Sequence, residues 1–472
     1  MGLGGMGRRI NGIFVLILVL GAVLRLKGVT NPYLDDQSWR QADTASMALN
    51  MLGHLGDFPD VFFPMLNYDG AGPQPVELEF PFLPYLLAWT WALLGWQDLW
   101  GRLWGICFSL LTLGGIYKFG KLALSERAGL WAAAFYAFIP LTTYYGRVVM
   151  PEPVAQAFSI WALVAIFSWR RNPTWIRLLG ASILMSGAIL AKLPQLMIFP
   201  VALMLGFYPF QRRLGKILVY SFLSLLLPML YYSWVHLGAG EASQFVSGIL
   251  SHQVMEGPTS YAEKLYKNLK YGLGLPILLA LMGIALMVRK KVLGNEVHLG
   301  LILWSGISGV YLVVVCLKIP LDYYLIPLAL PMVLLTGYTL DTWGGDSEGN
   351  GIPAFVVGAL LVGLLWVNQI LYYESKYQWD ERLLTQAQWI RQHTEENSVL
   401  ILSGSQPMTL YYSQRYGYRL IRDDLRAWLD LQELPGDYLV ALPDSRGEDF
   451  WKRIESAYTQ VGPGVYQIKD QQ

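Results

Sequence analysis

The chain has 472 residues, 54% of them hydrophobic and only 15% charged, and its 35 Lys and Arg nearly balance 34 Asp and Glu. A soluble protein of this length needs a more wettable surface, and a near-neutral chain lacks the basic field that attracts nucleic acid, so both classes are excluded. Two cysteines, Cys107 and Cys316, each inside an apolar run, exclude a disulfide framework and a zinc site.

Apolar runs recur from Ile10 to Tyr372, many near the roughly 20 residues that cross a bilayer. The first, Ile10 to Leu26, follows Arg8 and Arg9. No small-residue cleavage site comes after it, so it reads as a retained helix. Basic clusters at Arg8/Arg9, Lys118/Lys121/Arg127, Arg170/Arg171/Arg177, Arg212/Arg213/Lys216 and Arg289/Lys290/Lys291 mark cytoplasmic loops. An even number of crossings must separate each cluster from the next. Three apolar stretches, 10–26, 80–97 and 99–117, lie between the first two, so one of them does not cross. The stretch 80–97 is the candidate: Pro81 and Pro84 weaken a continuous helix, and Trp89, Trp91 and Trp96 favour the interface.

Paired crossings follow at 128–146 with 153–169, 177–191 with 194–209, and 217–235 with 272–288. The last pair flanks an outside loop holding His236, Glu241, His252 and Glu256. Three more are expected near 298–316, 323–340 and 352–372. The reading is an all-α polytopic membrane domain over 1–373 with about eleven transmembrane helices. Its N-terminus is cytoplasmic, in the plasma (inner) membrane, and residues 27–80 form a first external loop. Residues 374–472 differ: amphipathic helix from Glu381 to His393, apolar strand Val399–Leu402, helix, strand Tyr438–Ala441, and helix from Glu448 to Tyr458. That alternation predicts a small α/β extracytoplasmic domain, with no Gly-rich phosphate loop opening its helices. The chain shows no internal repeat and no inverted halves.

Polar residues close to the membrane concentrate in three outside segments. The first external loop opens with Asp35, Asp36, Arg40 and Asp43 and closes with Glu77 and Glu79, just before Pro81. A merely solvated loop would carry more Lys and fewer Trp, Tyr, Phe and Pro, and long loops in compact proteins are more often functional. The second segment, Tyr144 to Pro153, holds Arg147, which is expensive at membrane depth unless paired, and Glu152, which helix capping alone would explain. The third contributes Lys192 and Lys318 at outer helix ends, where snorkelling is the plain alternative, with Asp322, Tyr323 and Tyr324 close by. Acids beside cations at a membrane surface suit transfer of a sugar from a lipid phosphate. A carboxylate takes the proton of the acceptor hydroxyl, and cations stabilise the departing phosphate.

Together these segments resemble the GT-C superfamily of polyprenyl-phosphate-dependent glycosyltransferases, in the branch of protein O-mannosyltransferases and lipid A aminoarabinose transferases. The matching residues are Asp35-Asp36 through Trp39-Arg40-Gln41-Ala42-Asp43-Thr44, Glu79 to Pro81, Gly146-Arg147 with an acid shortly after, Ala191-Lys192-Leu193-Pro194, and Asp322-Tyr323-Tyr324-Leu325 with Pro327. The resemblance implies an inverting transfer that needs little or no metal, no other cofactor, and a first-loop aspartate as base. Relatives usually show an Asp-Glu pair there; this chain has Asp35-Asp36 and a separate Asp43, which leaves Asp36 or Asp43 as base, with Arg40 as partner. Glu152 stands where many relatives carry Asp, which argues against metal binding at that position. Arg147, Lys192 and Lys318 would cradle the donor phosphate, with Glu152, Asp322, Tyr323, Tyr324, Glu77 and Glu79 as its neighbours or sugar contacts. The implied partners are a polyprenyl-phosphate-sugar donor, membrane lipid and an acceptor that is a glycan, lipid or protein. A transporter or flippase of lipid-linked sugars would instead carry its charges midway along the helices and often repeat its halves. An O-antigen-type polymerase or ligase would need arginines in the loop at 236–271, which has none.

Overall fold

Runs of Leu, Ile, Val and Ala form helices throughout the first three-quarters of the chain, and the charged stretches fall between them. The computed structural model describes residues 3–239, 258–345, 351–443 and 445–468; Glu241, His252 and Glu256 lie outside the described residues. Among the described residues, six helices are long and apolar enough to cross a membrane, or seven if the bent pair Tyr261–Leu273 and Pro276–Arg289 is one span. Four apolar helices are shorter, among them Phe82–Leu94. At 13 residues that helix is about 20 Å long, against roughly 30 Å of hydrocarbon. The chain divides into two compact units: Met1–Val29, Arg102–Trp234 and Gln244–Ser375 in one, Thr30–Gly101, Val235–Ser243 and Lys376–Gln472 in the other.

The first unit is a helical bundle whose members leave Leu and Val side chains, such as Val15, Leu218, Leu281 and Leu360, on its exterior. Lipid is the solvent that makes such a surface stable. Small residues let the helices approach: a Cβ on Gly120 would sit 2.5 Å from the Cα of Gly129, and one on Gly337 would sit 2.2 Å from the carbonyl of Ala128. One expected helix is corrected here. The run 128–146 is not continuous but breaks into Glu126–Phe138 and Pro140–Tyr145. Pro140 has no N–H for the helical ladder, so carbonyls are released inside an apolar environment. The buried guanidinium of Arg25 collects them, donating to the carbonyls of Ala137 (3.2 Å), Tyr136 (3.4 Å) and Thr142 (3.1 Å) and to the Ser109 hydroxyl (2.7 Å). Likewise 194–209 begins as a 3-10 turn, Leu193–Ile198, before the helix Phe199–Phe207.

The second unit combines the loop that follows the first helix with the C-terminal segment. The loop holds a helix that sequence reading left out, Ser38–Met51, and a two-strand ribbon, β1 (Met65–Leu66) with β2 (Gln74–Pro75). The C-terminal segment is a five-stranded sheet ordered β4-β3-β5-β7-β6, where β3 is Val399–Leu402, β4 Tyr416–Arg419, β5 Tyr438–Val440, β6 Thr459–Gly462 and β7 Val465–Gln467. β4, β3 and β5 run parallel, and β7 pairs antiparallel with β5 and with β6. Helices cover both faces, which is why β3 reads as an unbroken apolar run. Leu400, Leu402 and Val440 pack against Ile390 and Leu410 on one face; Ile401 and Leu439 pack against Ala427, Leu431 and Ile454 on the other.

The edge strand β4 is closed by the same loop: the Gly417 N–H donates to Asn67 O (3.1 Å), and the Gly70 N–H donates to Gly417 O (3.2 Å). Pairing an exposed strand edge removes a site of unwanted association. Farther along, the Asp98 carboxylate accepts from the hydroxyls of Tyr411 (2.9 Å) and Tyr412 (2.6 Å), and Tyr33 donates to the Asp98 carbonyl.

Candidate functional site

The helix Ser38–Met51 presents Trp39, Arg40 and Asp43 within two turns. Residues four apart share a helical face, so Trp39 Nε1 reaches Asp43 Oδ2 at 2.6 Å. Asp43 is buried, and its other oxygen, Oδ1, has no hydrogen-bond partner among the described residues. Burial pushes its carboxyl up from the ordinary 3.8 to about 6, against the downward pull of Arg40, Trp39, Arg419 and Tyr68. A buried carboxylate with a proton affinity near neutrality, held by Trp39 and close to the Tyr68 side chain, is equipped to take a proton.

The neighbouring acids differ. Asp35 is buried and accepts from Gln41 Nε2 at 2.7 Å. Asp36 is partly exposed and forms an ion pair with Lys376, whose carbonyl also receives the Asp36 N–H. Arg40 gives Nη2 to both oxygens of buried Glu79, at 3.0 and 2.8 Å, and acts on Asp43 through space. Glu77 meets His236 Nδ1 at 3.2 Å. Sequence reading missed Trp39 as a ligand of Asp43, and it missed Lys376, Tyr68 and Arg419. Arg419 lies on β4, ion-paired with Asp69, with its guanidinium 3.7 Å from the Tyr68 ring centre.

A second polar cluster lies in the first unit. Glu152 opens the helix Glu152–Arg171, where the dipole favours an acid, and forms a buried ion pair with Lys192. The Lys192 ammonium also faces the rings of Tyr323 (5.2 Å) and Tyr324 (6.0 Å), while Glu152 Oε2 has no partner among the described residues. Buried Asp322 accepts from Tyr145 at 2.5 Å and from Tyr373 at 3.5 Å, two hydroxyls the sequence reading had not assigned. Arg147 is fully buried, donates to the carbonyl of Gly28 (3.0 Å) and stands 4.9 Å from the Tyr144 ring. Gly28 takes φ 65°, a conformation that favours glycine, and so turns its carbonyl toward that arginine. Lys318 is half-buried at the turn ahead of Asp322. Among the described residues, no three His, Cys, Asp or Glu side chains converge as a metal site.

Residues 74–234 match the family of dolichyl-phosphate-mannose-protein mannosyltransferases. Solved structures share the fold over most of the chain. ArnT from Cupriavidus metallidurans superposes with a TM-score of 0.67 at 14% identity, covering 97% of this chain and 97% of that one. The same enzyme bound to undecaprenyl phosphate gives 0.66 at 14% identity, covering 96% and 97%. The oligosaccharyltransferase of Archaeoglobus fulgidus gives 0.62 at 12% identity, covering 90% of this chain and 67% of that one. No curated protein matches the chain in sequence. The fold and the apolar helices define a multi-pass membrane protein. The family model matches residues 74–234 only, and the chain shares the fold of these solved structures.

Proposed function

We propose that this chain transfers a sugar from a polyprenyl-phosphate carrier to an acceptor hydroxyl on the extracytoplasmic face, with inversion at the anomeric carbon and Asp43 as the base. The acceptor oxygen attacks the anomeric carbon, the bond to the carrier phosphate breaks, and the acceptor proton passes to Asp43. A single displacement inverts the centre. Positioned general bases contribute about 10²–10⁴-fold to such steps. The observation that carries the reading is the state of Asp43: buried, held through one oxygen by Trp39, with the Tyr68 side chain near its carboxyl and its proton affinity raised toward neutrality. Asp35 and Asp36 are already committed, to Gln41 and Lys376.

The cations of the second cluster, within the first unit, are the proposed partners of the donor phosphate. Lys192, Arg147 and Lys318 neutralise the departing phosphate, with Asp322, Tyr323 and Tyr324 beside it for the sugar. Glu152 holds Lys192 in place. The complex of ArnT with undecaprenyl phosphate supports the donor class. The basic loops support a cytoplasmic N-terminus in the plasma (inner) membrane and an extracytoplasmic C-terminal segment.

The test is incubation of the purified protein in vesicles with a radiolabelled polyprenyl-phosphate sugar. Release of free polyprenyl phosphate with label passing to an acceptor is expected. Movement of intact labelled lipid across the vesicle, without cleavage, would replace transfer by transport.

A further inference from the structure

The connections of the C-terminal sheet run to opposite sides of β3. After β3 the chain passes through the helix Met408–Ser413 to β4, on the face of Leu400 and Leu402; from β4 it returns through Asp424–Glu433 to β5, on the face of Ile401. Strands β3 and β5 therefore flank a topological switch point, and in open parallel sheets the crevice beyond the carboxyl ends of such strands is where ligands bind. A cavity of about 760 Å³ opens there, lined by the residues that follow β3 and β5, by the segment leading into the helix Glu381–His393, and by Leu34 and Ser38 of the external loop. That volume lies within the range of small-molecule sites.

Its lining states a chemistry. Trp379 is more than one-third exposed and supplies a flat apolar face. Around it stand the amides of Gln378 and Gln406 and the hydroxyl of Ser405, all exposed, whose side chains make no hydrogen bond to other described residues. Amides and hydroxyls both donate and accept, as sugar hydroxyls do. The rim holds one cation against two acids, Arg382 paired with Asp380 at 2.7 Å and Glu381 beside them, so no cationic cradle for a phosphate forms. An aromatic platform beside the uncharged groups of Gln378, Ser405 and Gln406, with no excess of cations at the rim, suits a neutral pyranose over a phosphate.

We infer that this pocket binds a neutral glycan, the acceptor of the transfer proposed above, on which its role as acceptor site rests. Ser38 ties the two together: it lines the pocket and opens the helix that carries Asp43, five residues or about 7 Å farther along the axis.

The experiment is saturation-transfer NMR on the full chain in detergent, with mannotriose, galactotriose and chitotriose as probes and a threonine-containing pentapeptide as the competing class. At least one trisaccharide is expected to bind. Binding should weaken at least about ten-fold in Trp379→Ala and in Gln406→Ala, and persist in Trp379→Phe with an unchanged Tm. No binding by any trisaccharide, binding that survives both alanine variants, or binding of the peptide alone would overturn the inference. Donor cleavage by the wild-type chain is measured in parallel. Saccharide binding without cleavage leaves the pocket standing and removes the transfer reading; cleavage without saccharide binding does the reverse.

Discussion

The guanidinium of Arg419 lies 3.7 Å from the centre of the Tyr68 ring and grips the Asp69 carboxylate next to it, so β4 of the C-terminal sheet holds the loop that carries Asp43. Arg419 also pulls the proton affinity of Asp43 down. Replacing it with Gln should move the acid limb of the pH–rate profile to higher pH and cost about 1–2 kcal/mol of stability. Arg419→Lys keeps the charge and should leave the profile in place while losing part of the clamp. Initial rates against pH and the Tm of each variant check both statements.

The burial that raises the proton affinity of Asp43 also destabilises the folded chain. Its carboxyl sits near 6 when folded and near 3.8 when free, so the folded state binds the proton more tightly. The penalty is fully present above about pH 6 and fades as pH falls toward 3.8; at neutral pH it is of order 3 kcal/mol. Asp43→Asn should therefore melt above the wild type at pH 7.5 while losing about 10²–10⁴-fold in transfer rate. Asp36→Asn, which removes the partly exposed carboxylate paired with Lys376, should keep most of the activity and gain no stability. Thermal unfolding of the two variants side by side separates a functional acid from a structural one.

The buried pair of Glu152 and Lys192 predicts a non-additive pattern. Lys192→Met leaves a carboxylate buried without its cation and should cost roughly 3–5 kcal/mol. Adding Glu152→Gln should restore much of that stability, but donor binding should stay weak because the phosphate has lost its cation. Tm and donor affinity for both singles and the double close the cycle.

Several acids of the type that ligates metals already have cations as partners: Glu152 has Lys192, Glu79 has Arg40, and Asp36 has Lys376. Binding a divalent ion would mean breaking such a pair. Chelation with EDTA should leave the initial rate within about two-fold, and a rate restored only by added Mg²⁺ or Mn²⁺ would contradict this.

Residue types at the site were legible where chemistry makes them costly. Arg147, Lys192, Glu152 and Asp322 stand out because charge beside an apolar helix needs a reason. Partners distant in the chain were not. Nothing local in Arg40 announces Glu79, and Tyr68, Arg419 and Lys376 carry no motif; they matter because Asn67 to Gly70, which reads as a turn, runs along the edge of β4. The choice between Asp36 and Asp43 stayed open because burial, which separates them, is a tertiary property. In the bundle, the break at Pro140 was overlooked because hydropathy sees an unbroken apolar run. Only the structure shows Arg25 satisfying the released carbonyls.

The most direct test of the central claim is the initial rate of sugar transfer from a labelled polyprenyl-phosphate donor, followed across about pH 5–8 for the wild type and Asp43→Asn. If Asp43 is the base, the wild-type rate rises through an apparent pKa near 6 and levels off, and the variant retains only a residual rate with no such rise. An unchanged profile in Asp43→Asn would contradict the account, and loss of the rise in Asp36→Asn instead would transfer the role to Asp36.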